Sequence, residues 1–291
     1  MKISLVTDEI SSDVETAIEL GLEWGVRDFE LRGIGLERVP CLSAYPRQHL
    51  TEVLEQAQVG VAAVSPGLFK CAYPRSQRES FPVATLDAEL HQRWRSAGDL
   101  VRYHQEELLP LSLEFARHVG ARRVVIFGFH RGGEHAGPAP DEVLRALAEA
   151  AEQAGAAGLQ LAIEVEGGFW ADTGQRTRAM VDAIAHPALM INWDPGNALA
   201  AGETPYPDGY AAVRGRVGHV HVKDARREPQ GGCRYVLDGE IDWPGQVRAL
   251  AGDGYDGFLS VETHLRPKVS SARATVERLR TLIAGASAEQ G

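Results

Sequence analysis

Four polar residues occupy equivalent places at the ends of β-branched runs in the second half of the chain. They are Glu164, Asp194, His221 and Glu262. Because neighbouring strands of a sheet lie about 4.8 Å apart, four adjacent strands would bring these side chains to one point. Three carboxylates gathered without compensation would repel one another and shift their pKa values. A divalent cation would remove that repulsion, and this donor set favours Mn²⁺ or Mg²⁺, with Zn²⁺ or Co²⁺ as alternatives.

A single inward-facing glutamate has a simpler interpretation, as the ion-pair partner of one of the chain's many arginines. That interpretation weakens because an inward-facing polar residue recurs at the same depth on four successive strands. Unpaired charges are rarely buried, because removing them from water is costly. The pattern therefore favours a shared site over four separate ion pairs.

The alternation along the seventh run sets the direction of its polar side chains. His219, His221 and Lys223 share one face of this strand, and Val220 and Val222 share the other. Successive side chains of a strand point to opposite faces, and in a barrel the apolar face meets the helices. The polar set is therefore predicted to point into the barrel. His219 has two interpretations, a packed interior residue or a contributor to substrate binding.

Two of the four lysines, Lys70 and Lys223, are predicted to lie at the same end of the barrel. A buried lysine can form a Schiff base with a carbonyl substrate, so a metal-independent aldolase is one alternative. A lysine beside three carboxylates would stay charged, however. We therefore expect both lysines to pair with acids or to bind substrate oxygens.

The elements that must position these residues alternate along the chain. Short β-branched runs are separated by segments rich in Ala, Leu, Glu and Arg that have helical periodicity. The predicted strands are Ile3–Thr7, Asp28–Arg32, Val61–Ser65, Arg123–Phe129, Leu159–Glu166, Leu189–Asp194, Val217–Asp224 and Phe258–His264. This order predicts an α/β fold, a single (β/α)8 TIM barrel over residues 1–284 followed by a flexible tail at 285–291. An open doubly wound sheet is the alternative, but no GxGxxG follows the first strand.

Two long segments interrupt the alternation, at residues 68–98 and 225–242. Both follow a strand, on the side of the barrel where active sites of this fold are built. Long loops in compact domains usually serve as lids or contact partners. Both segments are therefore predicted to border the site.

The composition limits the classes of partner. The chain has 291 residues, with 40 acidic side chains against 30 basic ones and a formal net charge of −10. This balance argues against nucleic acid or an anionic membrane as a partner. No apolar run reaches the roughly 18 residues of a membrane span. The three cysteines show no metal-site or disulfide spacing, so we expect a cytoplasmic protein. A homo-oligomer is compatible with the sequence.

The motifs around these residues resemble those of a known family. AIEVEGG surrounds Glu164, NWDPGNA surrounds Asp194, HVHVKDARR surrounds His221 and LSVETH surrounds Glu262. Together they resemble the xylose isomerase-like TIM barrels, a superfamily of sugar isomerases and epimerases, dehydratases and endonuclease IV. The resemblance extends from FELRG at residues 29–33 to the VETH strand.

The resemblance implies roles for individual residues. Glu164, Asp194, His221 and Glu262 would be the metal ligands, and the two glutamates would also be the catalytic acid and base. In the epimerases an arginine six residues after the histidine ligand binds substrate oxygens, and Arg227 has that place.

Two positions depart from the epimerase pattern. Asn197 stands where epimerases usually carry a histidine, three residues after the aspartate, and Trp170 replaces a glutamate six residues after the first ligand. Asparagine can hydrogen-bond a hydroxyl group but does not titrate near neutral pH. The predicted substrate-binding set consists of Arg227, Lys223, Asn197, Lys70, His219 and Trp170.

The sequence thus predicts a metal-dependent isomerase or epimerase of a small sugar or another polyhydroxy carbonyl compound. One glutamate would remove the proton beside the carbonyl group and the other would return it. The first alternative is a metal-dependent dehydratase of an inosose- or shikimate-type ring, which begins with the same proton abstraction. An abasic-site endonuclease fits the acidic chain poorly. A non-catalytic sugar-binding barrel is the remaining alternative.

Overall fold

The computed structural model of the chain describes residues 1–73, 97–132 and 136–288. Twelve strands lie in these ranges. They are β1 (Lys2–Val6), β2 (Asp28–Leu31), β3 (Gly33–Ile34), β4 (Glu37–Arg38), β5 (Gly60–Leu68), β6 (Arg123–Ile126), β7 (Gln160–Glu164), β8 (Leu189–Trp193), β9 (Val217–Val222), β10 (Asp224–Arg227), β11 (Cys233–Val236) and β12 (Phe258–Val261).

Eight of these strands form a closed parallel barrel in the order β1-β12-β9-β8-β7-β6-β5-β2, and β2 pairs with β1 to complete the ring. The remaining four form two small antiparallel hairpins, β3 with β4 and β10 with β11. The predicted TIM barrel is confirmed. Each predicted strand overlaps an observed one, and their ends differ by at most three residues.

Helices follow the strands and cover the outside of the barrel. They are α1 (Val14–Glu23), α2 (Ala44–Ala57), α3 (Ala97–Tyr103), α4 (Leu109–His118), α5 (Asp141–Ala156), α6 (Gly174–Ile184), α7 (Pro195–Ala200), α8 (Tyr210–Val213), α9 (Trp243–Gly252) and α10 (Lys268–Ala288). Side-chain caps fix several of their first turns; Asp13, for example, accepts a hydrogen bond of 2.8 Å from the backbone N–H of Thr16. Within the described ranges, no helix combines the length and the apolar character needed to cross a membrane.

The strand register sets the depth of each inward side chain. Glu164 pairs with Asn192, Asn192 pairs with His219, and His221 pairs with Ser260. The outward residues of these strands are apolar and fully buried beneath the helices, including Leu161, Ile163, Ile191, Trp193, Val220, Leu259 and Val261. Burial of this apolar layer fixes which face of each strand points inward, because a shift of one residue would exchange the two faces.

The structure differs from the sequence prediction in the connection after β8. Two short helices, α7 and α8, lie there, and the sequence analysis identified neither. Pro195, Pro205 and Pro207 interrupt the apolar periodicity of this segment, since proline lacks the N–H that a helix interior needs. Proline at the first position of α7 is nevertheless compatible with a helix.

The predicted tail and the two predicted long segments can be compared with the structure in part. Helix α10 continues to Ala288, so residues 285–288 are helical where the sequence predicted a flexible tail. Residues 225–242 contain most of the β10–β11 hairpin. Most of the predicted 68–98 loop, and the last three residues of the tail, lie outside the described residues.

Candidate metal centre

Glu164, Asp194, His221 and Glu262 come together at one mouth of the barrel. Glu164 ends β7, Asp194 directly follows β8, His221 lies in β9, and Glu262 directly follows β12. Each offers one oxygen or nitrogen atom within 4.8 Å of those of the other three. All four are buried, with at most 5% of any of them exposed. We call these four residues the acidic cluster.

His221 and Lys223 lie against the carboxylates of the acidic cluster. Nδ1 of His221 is 3.3 Å from Glu164 Oε1 and 3.2 Å from Glu262 Oε2. Nζ of Lys223 is 2.8 Å from Asp194 Oδ2 and 2.6 Å from Glu262 Oε2. These contacts give the three carboxylates two cationic neighbours.

Burial and the two cationic neighbours shift the pKa values of the carboxyl groups in opposite directions. Burial and the charges of Glu164 and Glu262 raise the pKa of Asp194 to about 6, although Lys223 opposes the rise. Burial also acts against ionisation of Glu262, but Lys223 and His221 outweigh it and hold the pKa of Glu262 well below its usual value. The cluster thus depends on nearby positive charge to keep its carboxylates ionised.

The donor set fits a divalent cation. Three carboxylates and one imidazole present their ligand atoms to one buried point, and oxygen-rich sets of this kind suit Mg²⁺ and Mn²⁺, while the imidazole also suits Zn²⁺. The carboxylate of Asp194 is held in place: its Oδ1 accepts a 2.9 Å hydrogen bond from the backbone N–H of Asn197, and its Oδ2 faces Lys223.

Arg32, which the sequence analysis did not single out, holds the outer side of Glu262. Its guanidinium donates to Glu262 Oε1 and also bonds Asp8 Oδ1 at 2.9 Å and Glu9 Oε1 at 2.7 Å. Glu9 in turn lies 3.0 Å from Nδ1 of His264. Because Oε1 of Glu262 is engaged by Arg32, Oε2 is the oxygen turned toward His221. The sequence did contain a signal for Arg32. It is a charged residue that directly follows the apolar Leu31, at an inward-facing position of the second predicted strand.

Glu30, two residues before Arg32 and within β2, was also missed. It is fully buried beneath the acidic cluster, and its carboxylate lies 3.0 Å from His221 Nε2 and 2.8 Å from His219 Nε2. Burial acts to raise the pKa of Glu30, but His221 and His219 overcome this and hold it well below its usual value. Its position between the apolar Phe29 and Leu31 could have identified it as an inward-facing acid.

Two of the predicted substrate-binding residues, Lys223 and Asn197, contact the acidic cluster directly. The side-chain amide of Asn197 donates to Glu166 Oε2 at 2.6 Å and approaches Glu164 Oε1 at 3.4 Å. Its Oδ1 accepts a 2.9 Å hydrogen bond from the hydroxyl group of Tyr235. Asn197 therefore links Glu164 to the polar rim of the mouth.

Lys70 and His219 approach the cluster through an intermediate carboxylate. Nζ of Lys70 is 3.8 Å from Glu166 Oε1, and His219 reaches His221 through Glu30. Burial, together with the charge of Glu164, raises the pKa of Glu166 to about 7, against the effect of Lys70. The interior position of His219 fits its interpretation as a packed, hydrogen-bonded residue.

Trp170 and Arg227 have other contacts. The indole N–H of the buried Trp170 donates to the carbonyl of Tyr73 at 2.8 Å. Arg227, in β10, bonds the carboxylate of Glu240 and the carbonyl of Glu203, both at 3.2 Å. Within the described part of the chain, neither side chain forms a hydrogen bond or ion pair with the acidic cluster, so their roles in substrate binding stay predictions.

The ion pairs of Glu9 predict a pH-dependent contribution to stability. Burial would raise its pKa, but the hydrogen bond with His264 and the charge of Arg32 lower it from 4.5 to about 2. A carboxyl group whose pKa is lower in the folded state stabilises the protein above its unfolded pKa, and loses this effect as the pH falls. At about 1.4 kcal/mol per pKa unit, we expect Glu9→Gln to lower the free energy of unfolding at pH 7 by about 3 kcal/mol.

Urea denaturation of the Glu9→Gln variant and the parent at several pH values measures this difference. It should be constant above about pH 5 and should shrink progressively toward pH 3, as the carboxyl group of the unfolded parent takes up its proton. A difference that stayed constant from pH 7 to pH 3 would contradict the assignment of the lowered pKa to Glu9.

Comparison with known proteins identifies the family. The model of the family described as xylose isomerase-like TIM barrel matches residues 18–282, and the chain belongs to this family. The resemblance predicted from the strand-end motifs is thereby confirmed.

Individual relatives are distant. The chain is 25% identical over 187 residues to SgbU of Escherichia coli (strain K12), whose name assigns it provisionally as an L-ribulose-5-phosphate 3-epimerase; the match covers 62% of this chain and 65% of SgbU. The structure of an L-ribulose 3-epimerase has a TM-score of 0.69 at 17% identity, covering all of this chain and 97% of that one. A xylose isomerase-like TIM barrel protein from Mycobacterium smegmatis in complex with magnesium has a TM-score of 0.65 at 18% identity, covering 94% and 88% of the two chains. At these identities the structures show a shared fold.

Proposed function

We propose that this chain is a divalent-metal-dependent isomerase or epimerase of a small sugar or another polyhydroxy carbonyl compound. The observation that carries the proposal is the acidic cluster, in which two glutamates, an aspartate and a histidine from four neighbouring strands meet within 4.8 Å. The epimerase names of SgbU and of the structural neighbour, and the magnesium in the other neighbour, support this choice.

Glu164, Asp194, His221 and Glu262 would hold the cation. Bound there, it would act as a Lewis acid that polarises the carbonyl group of the substrate. Mn²⁺ and Mg²⁺ suit the three carboxylates, and Zn²⁺ or Co²⁺ would also accept the imidazole.

The two glutamates would move the proton. Glu164 ends β7 and Glu262 directly follows β12, the outer strands of the four-strand arc β7-β8-β9-β12. A substrate held between them would meet a carboxylate on each side. One would take the proton beside the carbonyl group and the other would return it. Arg32 and Lys223 hold the two oxygens of Glu262, and Asn197 lies beside Glu164, which keeps both carboxylates oriented.

The polar groups around the mouth would bind substrate oxygens. Lys223 and Asn197 are already in contact with the cluster, and Lys70 and Glu166 form an adjoining pair with partial exposure. Lys223 is buried and paired with two carboxylates, an arrangement that keeps it charged and therefore favours ion pairing over Schiff-base formation.

Metal removal provides the direct test of this proposal. The protein would be treated with EDTA, checked by metal analysis, and assayed with Mn²⁺, Mg²⁺ or Zn²⁺ against ketoses, keto-inositols and hydroxypyruvate. We expect no turnover without metal, and recovery with at least one cation. In D₂O, NMR should show deuterium entering the product beside the carbonyl group, because the abstracted proton exchanges with solvent on the glutamate.

The products and the metal content separate the alternatives. Loss of water from the substrate would identify a dehydratase built on the same cluster. Full turnover by protein shown to be free of metal would contradict the metal-dependent mechanism. A folded protein that binds none of these cations would instead support a non-catalytic barrel.

A further inference from the structure

The carboxylate of Glu30 lies directly behind His221, on the side of the ring away from the acidic cluster. Its Oε1 and Oε2 are 3.0 Å and 3.3 Å from His221 Nε2. The other ring nitrogen, Nδ1, faces Glu164 and Glu262. The imidazole is therefore held between one carboxylate below and the cluster above.

This arrangement matters because an imidazole can bind a cation only through a nitrogen that carries no proton. The proton of a neutral ring must then reside on the other nitrogen, where it needs an acceptor. A buried carboxylate is a strong acceptor, and pairing of this kind fixes both the tautomer and the orientation of a metal-binding histidine.

We infer that Glu30 is a positioning residue, which accepts the Nε2 proton of His221 and so presents the Nδ1 lone pair to the acidic cluster. The inference rests on the proposed metal centre and adds a fifth residue to it. Glu30 would act through His221, without touching the cation or the substrate.

The surroundings of Glu30 keep its carboxylate in place. Ser260 Oγ, on β12, donates to Oε2 at 2.6 Å, and Ser65 Oγ, on β5, donates to Oε1. Nε2 of His219 lies 2.8 Å from Oε2. These partners come from three strands around the barrel, and Glu30 is fully buried. A carboxylate held in this way cannot swing toward the cluster, and it leaves His221 one favourable ring orientation.

Glu30, His219 and His221 also place their own ligand atoms close together, which raises a second interpretation as a separate cation site. The contacts favour hydrogen bonding, because both Nε2 atoms lie 2.8 to 3.0 Å from the carboxylate of Glu30, as donors to it would. A cation bound at that point would also need both Nε2 atoms free of protons. The stoichiometry of metal binding separates the two interpretations.

The first experiment measures Mn²⁺ binding to the parent and to Glu30→Gln by isothermal titration calorimetry. The glutamine has nearly the same volume but lacks the charged acceptor. Loss of such an outer partner typically weakens metal binding about 10- to 100-fold, and we expect a shift of that size with one Mn²⁺ bound per chain.

The matched control is Asp172→Asn. Asp172 is also a buried carboxylate, but it pairs with Arg131 and Arg176 and, among the described residues, forms no hydrogen bond or ion pair with the acidic cluster. It should lower stability while leaving the dissociation constant for Mn²⁺ unchanged. A folded Glu30→Gln protein with the parent's dissociation constant would overturn the inference, as would binding of two equivalents with the second lost in Glu30→Gln.

A second measurement does not depend on the folding of a variant. In parent protein loaded with diamagnetic Zn²⁺ and labelled with ¹⁵N-histidine, the NMR spectrum should show a proton on Nε2 of His221 and none on Nδ1. A proton on Nδ1 would overturn the inference. If the parent bound no cation at all, the proposed metal centre itself would fail, whereas normal binding with the opposite tautomer would refute only the role of Glu30.

Discussion

Glu262→Gln should abolish most turnover while leaving the barrel folded. Glutamine keeps the size of the side chain, and its amide oxygen can still accept a hydrogen bond from Arg32 or from Lys223, which donate to the two oxygens of Glu262. It cannot accept a proton under these conditions, so one half of the proposed proton transfer is lost. Removing a general acid or base typically costs about 10²- to 10⁴-fold in rate, and we expect a fall in kcat of that size.

The assay must separate chemistry from metal binding, because Glu262 is proposed to serve both. Turnover would therefore be measured on the substrate found in the metal screen, at Mn²⁺ concentrations shown by titration to saturate the variant. Circular dichroism would confirm the fold. Asp172→Asn again serves as the control, because it removes a buried carboxylate outside the cluster and should keep a turnover close to that of the parent. Parental kcat in saturated Glu262→Gln would refute the acid–base assignment.

The sequence was sufficient to predict the barrel and the meeting of the four cluster residues. The barrel follows from the alternation of strands and helices along the chain, and the cluster follows from the alternation of apolar and polar residues along each strand. Apolar residues such as Ile163 and Val220 must meet the helices, so their neighbours Glu164 and His221 must point inward. The parallel order of the strands then places these ends at one mouth. No information about distant contacts was needed for that step, because the polar residues appear at the same depth on four successive strands.

The contacts of Glu30 and Arg32 could not be derived in the same way. Glu30 lies on β2 and Arg32 directly follows that strand, which is separated from β9 in the barrel by β1 and β12. Their partners in the acidic cluster, His221 and Glu262, are about 190 and 230 residues away in the chain. Alternation shows that they point inward, but the choice of partner depends on how the closed barrel brings opposite walls together. Side chains that reach across the interior therefore appear only in the three-dimensional structure.

The contacts of Arg227 could not be predicted from its spacing along the chain. Its spacing from His221 matched a family pattern, but the β10–β11 hairpin directs it to Glu240 and to the carbonyl of Glu203. The geometry of a loop depends on its own turns and contacts, so the direction of the Arg227 side chain does not follow from its spacing along the chain, and its role in substrate binding stays a prediction. Transfer of a role by spacing is therefore more secure for Asp194 and Glu262, directly at strand ends, than for Arg227.

Lys223→Met should strongly destabilise the metal-free protein and make its stability depend on the cation. Lys223 is 98% buried, and its ammonium group lies within 2.8 Å of Asp194 and Glu262. Without it, the three buried carboxylates would retain His221 within the cluster and Arg32 on the outer side of Glu262. Removing one member of a buried ion pair typically costs about 3 to 5 kcal/mol, and we expect a loss of that size in the free energy of unfolding in EDTA.

Mn²⁺ should restore more stability to Lys223→Met than to the parent, because the cation would relieve a repulsion that the parent already balances with its ammonium group. Urea denaturation with EDTA and with excess Mn²⁺ measures both gains, since a ligand bound only by the folded state stabilises it by RT ln(1 + L/Kd), where L is the free ligand concentration. Lys70→Met is the matched control: this lysine is partly exposed and lies 3.8 Å from Glu166, so its loss should cost about 1 kcal/mol or less. Equal stability of Lys223→Met and the parent in EDTA would show that the ammonium group does not balance the cluster. An equal response of the two proteins to Mn²⁺ would show that the cation and Lys223 neutralise different charges.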